Sequence, residues 1–321
     1  MLVDLLLVVG GLALLVFGGE ALVRGAGGIA LLLRVTPAVV GLTVVAAGTS
    51  MPELVVSVRA AVAGSPGLAM GNIVGSNIFN IAAILGIVAL VRPLRIGGNT
   101  VRLEWPVMFL AAVQLHLLAR DGLLDRLEGA FLALAIVAFT AYSVWIARRA
   151  GTAEQSEFAE SARTPGGAPG RAAWLRNVGA VVVGVAALAV GASLLVRGSV
   201  SLARTWGVSE TVIGLTIVAA GTSTPELVTS LVAAFRGRDD VAVANVVGSN
   251  VFNALGIGGI TALVHPVPVP PEVVARDDWW MIGTSAALFP LMRSGMRITR
   301  LEGAVLLAAF VAYTTLLLRG A

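Results

Sequence analysis

The 321-residue sequence contains no cysteine and no lysine, so all 22 basic residues are arginine. Without cysteine there can be no disulfide, no thiolate nucleophile and no zinc-thiolate site. Without lysine there is no G-x-x-x-x-G-K-[ST] phosphate loop and no Schiff base, which excludes the usual route to nucleotide hydrolysis and amine-based covalent catalysis. Charge is scarce as well: 12% of residues are charged, against roughly 25% in a soluble domain. The two histidines, His116 and His265, stand apart from the motifs described below and read as packing or interface residues rather than metal ligands.

In place of charge there are apolar residues, 57% of the chain, with a mean hydropathy of +0.93. Apolar runs approach the roughly 20 residues that cross a bilayer as a helix, among them 2–19, 105–119, 129–147, 178–196 and 301–318. The polar-apolar alternation of a membrane barrel is absent. The first run has neither a basic flank nor a small-residue cleavage pattern and reads as a span, not a signal peptide. An all-α integral membrane protein is expected. The formal charge of +4 then reflects arginines gathered in cytoplasmic loops rather than a nucleic-acid surface.

Compared with itself at an offset of 173 residues, the sequence repeats. "GLTVVAAGTSMPEL" at 41–54 returns as "GLTIVAAGTSTPEL" at 214–227, and "GNIVGSNIFN" at 71–80 as "ANVVGSNVFN" at 244–253. "LVRG" and, one residue out of register, "RLEGA" also recur, so the duplication runs nearly end to end. A polar, Gly- and Pro-bearing stretch at 148–173 reads as a cytoplasmic linker between a first unit, 1–147, and a second, 174–321. Each unit carries five hydrophobic segments. An odd number inverts the second unit in the membrane, giving ten transmembrane helices as two inverted five-helix repeats, a plan of secondary transporters with the site near the midplane. With both termini outside, 15 of the 22 arginines fall in cytoplasmic loops, as the positive-inside rule requires. The six tryptophans, at 105, 145, 174, 206, 279 and 280, lie near segment ends, where an interfacial belt is expected.

Glu53 sits inside an apolar segment and is matched by Glu226. A charge at that depth costs about 2.5 to 3.5 kcal/mol, so a matched pair argues for function. Pro52 and Pro225 each remove a backbone donor and free carbonyl oxygens around Ala46–Thr49 and Ala219–Thr222. Irregular backbone at membrane depth survives only inside protein or along a wet cavity. In the second motif, Ser76 and Asn80, like Ser249 and Asn253, are four residues apart and share a helix face. Gly71, Gly75 and Gly248 read as close-packing positions. Two carboxylates with neutral oxygens around them suit a hard cation, calcium ahead of magnesium. Two empty ionised carboxylates at the midplane are costly, so the site stays filled by calcium, sodium or protons, which means exchange rather than leak.

These paired motifs resemble the two alpha repeats of the sodium/calcium exchanger family, within the cation/calcium antiporter group. The resemblance implies a ten-helix bundle with a central ion site and a sliding pair, the first and sixth helices. It implies calcium ligation by the Glu53 and Glu226 carboxylates and the Thr49 and Thr222 carbonyls. Flanking sodium positions use Ala46, Ser50 and Ser76 on one side and Ala219, Ser223 and Ser249 on the other, with Asn80 and Asn253 completing the centre. Some prokaryotic members carry Asp where Asn253 stands, which bears on the coupling ion.

The function expected is Ca2+/Na+ antiport by alternating access, in the cell inner (plasma) membrane, with no cofactor beyond the transported ions and no obligatory protein partner or nucleic acid. A proton-coupled antiporter for Ca2+ or another divalent cation is the nearest alternative, and a cation channel the next. An intramembrane hydrolase lacks H-E-x-x-H and any nucleophile beside a base.

Overall fold

A computed structural model describes residues 2–33, 35, 37–149, 171–205 and 219–320. The linker at 150–170, the "GLTIV" that opens the second motif, and Trp206 lie outside the described residues. The described residues are almost entirely helical. In order the helices are α1 (Leu2–Leu33), α2 (Ala38–Thr49), α3 (Met51–Val62), α4 (Pro66–Val91), α5 (Thr100–Ala119), α6 (Arg126–Arg149), α7 (Arg171–Thr205), α8 (Ala219–Thr222), α9 (Thr224–Phe235), α10 (Asp239–Val264), α11 (Asp278–Arg293) and α12 (Arg300–Gly320). Seven of them are long and apolar enough to cross a membrane, and eight spans result if the bent α2–α3 pair counts as one.

Burial ranks the helices. In α4 and α10, 78% and 83% of the span is buried, against 17–28% in α1, α6, α7 and α12. So α4 and α10 form the centre, and the apolar faces of the others are left for lipid. Tryptophans 145, 174 and 279 are exposed near helix ends, as the belt requires. Trp105 departs from it: its indole Nε1 donates to the Ser285 carbonyl of α11 at 2.7 Å and its ring stacks on Phe109. A buried indole N–H needs an acceptor, and here it finds one on a neighbouring helix. His116 likewise joins α5 to α11, with Nδ1 2.9 Å from Asp278 Oδ2, while His265 is exposed and bonds the adjacent Pro266 carbonyl.

Other helices that touch across the duplication do so through glycine. Antiparallel α1 and α7 face each other with Gly11, Gly18 and Gly25 on one and Gly184, Gly191 and Gly198 on the other, seven residues apart in each. A methyl group on Gly18 would sit 2.8 Å from the Gly184 carbonyl oxygen, and one on Gly184 would sit 2.7 Å from Leu22 N. Close approach of this kind is how helices associate where lipid leaves no hydrophobic drive. The repeated "RLEGA" now has a physical reason. Gly129 of α6 abuts Gly259 of α10, and Gly303 of α12 abuts Gly86 of α4, so each outer helix packs on the central helix of the opposite half.

Among the described residues, four two-residue strands clip the loops in the same crossed manner. β1 (Leu94–Arg95) pairs antiparallel with β4 (Arg297–Ile298), and β2 (Leu123–Leu124) with β3 (Val267–Pro268). Every one of these pairs joins a first-half segment to a second-half segment.

Candidate functional site

The helix that carries Glu53 is interrupted. A π-helical stretch, Gly41–Val45, leads into one α turn, Ala46–Thr49, which ends at Ser50 with φ −85° and ψ 10°. Pro52 then occupies the first turn of α3, where its missing N–H is tolerated, and the two pieces meet at 45°. The second copy repeats the turn and the proline. The Ala219–Thr222 turn ends at Ser223 with φ −91° and ψ 8°, and Pro225 opens α9. The break expected from proline is present in both motifs, and its pivot is the serine two residues earlier.

Each pivot serine reaches across to the carboxylate of the other half. Ser50 Oγ donates to Glu226 Oε1 at 2.8 Å, and Ser223 Oγ donates to Glu53 Oε1 at 2.9 Å. Ser76 stands 3.5 Å from Ser223 Oγ. All of these side chains are buried, Glu226 with no solvent exposure and Glu53 with 1%. The remaining oxygens, Glu53 Oε2 and Glu226 Oε2, have no hydrogen-bond partner among the described residues. Neither do the amide of Asn80, Asn253 Oδ1 or Ser249 Oγ. Buried polar atoms are normally paired, and these five side chains fall within the two repeated motifs. α4 becomes π-helical at Phe79–Leu85 and α10 at Phe252–Ile257, beside Asn80 and Asn253. π-Bulges are frequent at functional sites.

Other expected ligands are placed less freely. The Ala46 carbonyl already accepts the Ser50 N–H at 3.1 Å and lies 3.2 Å from the Thr49 hydroxyl. The Thr49 hydroxyl also donates to the Val45 carbonyl at 3.1 Å and stands 3.4 Å from Asn245 Oδ1. Thr222 ends the α8 turn, and for Ala219 only the backbone is described.

Two asparagines brace the breaks. Asn72 Nδ2 donates to the Glu53 carbonyl at 3.0 Å and to Ser57 Oγ at 2.9 Å. Asn245 Nδ2 does the same to the Glu226 carbonyl at 3.4 Å and to Ser230 Oγ at 3.0 Å. Asn72 and Asn245 are visible in the motifs, whereas Ser57 and Ser230 lie outside them, one turn past the glutamates. Their signal was their shared 173-residue offset. Between the central helices, Asn250 Nδ2 donates to the Asn77 carbonyl at 3.2 Å. Of the close-packing glycines, Gly248 is tight, since a methyl there would overlap the Leu42 carbonyl, whereas Gly71 and Gly75 meet no described atom within 4 Å.

Asn245 is fully buried, so replacing it with Leu leaves the Ser230 hydroxyl with only its 3.4 Å bond to the Ala242 carbonyl and frees the Glu226 backbone. Leaving such groups unpaired costs about 1–3 kcal/mol. Asn245→Leu is therefore expected to lower the stability of the folded protein by about 1–3 kcal/mol. A thermal melt of the purified protein measures it, and an unchanged midpoint refutes the brace.

The family model for "Sodium/calcium exchanger protein" matches residues 3–145 and again 176–319. The chain is 38% identical over 320 residues to "Putative antiporter CaxA" of Alkalimonas amylolytica, covering 99% of both. It is 35% identical to "Inner membrane protein YrbG" of Escherichia coli K12, over 99% of this chain and 97% of that one. A solved structure of the sodium-calcium exchanger NCX_Mj, soaked with Na+ and Sr2+, superposes with a TM-score of 0.81 at 29% identity, covering 97% of each chain.

Proposed function

The chain belongs to the sodium/calcium exchanger protein family, and from that premise we propose that it exchanges Ca2+ for Na+ at one site shared by its two halves. The observation that carries this reading is the reciprocal pair of serine-glutamate bonds. Each bond satisfies one carboxylate oxygen and turns the other, with the Asn80, Asn253 and Ser249 oxygens, toward an unmet demand for a partner. The donor set is hard oxygen throughout, which fits calcium's 6–8 oxygen ligands and flexible geometry. Two carboxylates balance one divalent ion, or two monovalent ions in its place. With Asn at both 80 and 253, these motifs contribute no third charge.

The reading places Glu53, Glu226 and the Thr49 and Thr222 carbonyls around calcium. Ser50, Ser76, Ser223, Ser249, Ala46 and Ala219 flank it for sodium, and Asn80 and Asn253 lie between. Of these, Ala46 needs its carbonyl released from two present contacts before it can ligate an ion. The architecture proposed is ten spans in two inverted units, 1–147 and 174–321, joined by a cytoplasmic linker at 148–173. α2–α3 and α8–α9 each count as one broken span. Support comes from the strand clips. An inverted repeat puts the α4–α5 loop and the α11–α12 loop on one face, where β1 meets β4. It puts the α5–α6 and α10–α11 loops on the other, where β2 meets β3. The arginine distribution favours a cytoplasmic β1–β4 face and external termini. Alternating access then follows from α1 and α7 moving together across the central helices.

The test is Ca2+ uptake into Na+-loaded proteoliposomes under clamped voltage. Uptake is expected to follow an imposed Na+ gradient at constant pH and to stop without internal Na+. Uptake that follows a pH gradient instead identifies the proton-coupled antiporter. Ca2+ flux with no counter-ion identifies a channel.

A further inference from the structure

The structure breaks its own symmetry at one end of α1. Glu20 of α1 accepts from Arg236, with Nη2 2.5 Å from Oε1 and Nε 3.1 Å from Oε2, and is also paired with Arg24. Arg236 caps α9. Two residues on, Arg238 donates to the Val23 carbonyl at 3.4 Å, its guanidinium lying against Gly27, where a methyl group would collide with it. The turn between α9 and α10 is thus fastened to α1 at two points one to two helical turns apart.

The counterparts one repeat away carry none of this. The positions equivalent to Glu20 and Gly27 are Ser193 and Val200 on α7, and those equivalent to Arg236 and Arg238 are Ala63 and Ser65 after α3. Serine and alanine form no ion pair, and Val200 carries a branched side chain where Gly27 has none. Packing follows the chemistry. A methyl on Gly19 of α1 would touch Val228 and Val232 of α9 at 3.3 and 3.4 Å, and Val228 packs into the core beneath α1. Val55, the equivalent residue on α3, is 50% exposed.

We propose that Glu20, Arg236 and Arg238 are a one-sided latch that sets the sidedness of exchange. Bound, they hold α1 against the end of α9, close the Arg236 face and favour the conformer open at Val55. An inverted repeat without such a difference has two nearly equivalent conformers, and a modest differential interaction tilts them. This inference rests on the alternating-access reading above.

The chain's lack of cysteine supplies the test, since Val55→Cys and Val228→Cys are each the only thiol in their variant. In purified protein, a hydrophilic maleimide is expected to label Val55→Cys quickly and Val228→Cys slowly. Adding Glu20→Gln or Arg236→Gln is expected to slow the first and speed the second about two- to fivefold, the range for a partly exposed ion pair. The charge swap Glu20→Arg with Arg236→Glu is expected to restore both rates. Unchanged rates in both latch variants, no rescue by the swap, or a Val55→Cys that never labels overturns the latch. Sodium-driven Ca2+ uptake by the same variants is scored separately. Its loss in the cysteine-free parent overturns the exchange reading, and labelling judges the latch whatever the flux shows.

Discussion

Glu53→Gln and Glu226→Gln are each expected to abolish Ca2+ exchange while leaving an inserted, folded protein. Each glutamate gives one oxygen to a serine of the opposite half and keeps one unpaired. Glutamine has the same shape and its carbonyl oxygen still accepts from that serine, so the contact that joins the halves persists. What it lacks is charge. A site of net −1 cannot compensate the desolvation of a divalent ion, and losing one partner of a buried charge pair costs about 3–5 kcal/mol. Uptake of radioactive Ca2+ is therefore expected to fall by at least about two orders of magnitude, since each 1.4 kcal/mol is tenfold. Without Ca2+, the melting temperature is expected to stay level or rise, because one costly buried charge is gone. With Ca2+ added, only the parent is expected to gain stability. Wild-type exchange by either single variant refutes the shared site.

Gly18→Leu is expected to disrupt the α1–α7 seam. The first added carbon lands 2.8 Å from both the Gly184 carbonyl oxygen and Leu188 N. These are backbone atoms, which cannot swing aside as a side chain would. Ordinary overpacking costs about 1–3 kcal/mol, and forcing two long helices apart exceeds it. The expected outcome is loss of a monodisperse peak in size exclusion and of Ca2+ exchange. Gly10→Leu is the control. No described atom lies within 4 Å of its added carbon, and its counterpart in α7, Val183, already carries a branched side chain at 50% exposure. A Gly18→Leu protein as stable and active as Gly10→Leu would refute the tight seam.

Much of this was legible in the sequence where chemistry is local. A proline one residue before a glutamate announces a break and a buried charge in the same stretch, and the second copy says that the charge is wanted. The serine at the pivot was also in view, but not its partner. Ser50 bonds Glu226 and Ser223 bonds Glu53, a cross-connection that needs two chains of positions to be brought together in space. The duplicated "RLEGA" was visible without a purpose, since its glycine is explained only by Gly86 and Gly259 on helices of the opposite half. The seven-residue glycine spacing of α1 and α7 was hidden among 38 glycines. Glu20 and Arg236 are 216 residues apart in the chain, and no motif links them.

The crossed packing also sets an order of manufacture. A ribosome delivers α1 to α6 before any of α10 or α12 exists, so the Gly86 face of α4, the Gly129 face of α6 and the free edge of β1 all await partners not yet translated. Chains generally emerge and fold from the N-terminus at about 5–20 residues per second. The second half therefore reaches a waiting first half after some tens of seconds at most. During that interval the nascent protein depends on lipid and the insertion machinery to cover what its later helices will cover, and a stop codon in the 150–170 stretch would leave a fragment with no partner for its central helix.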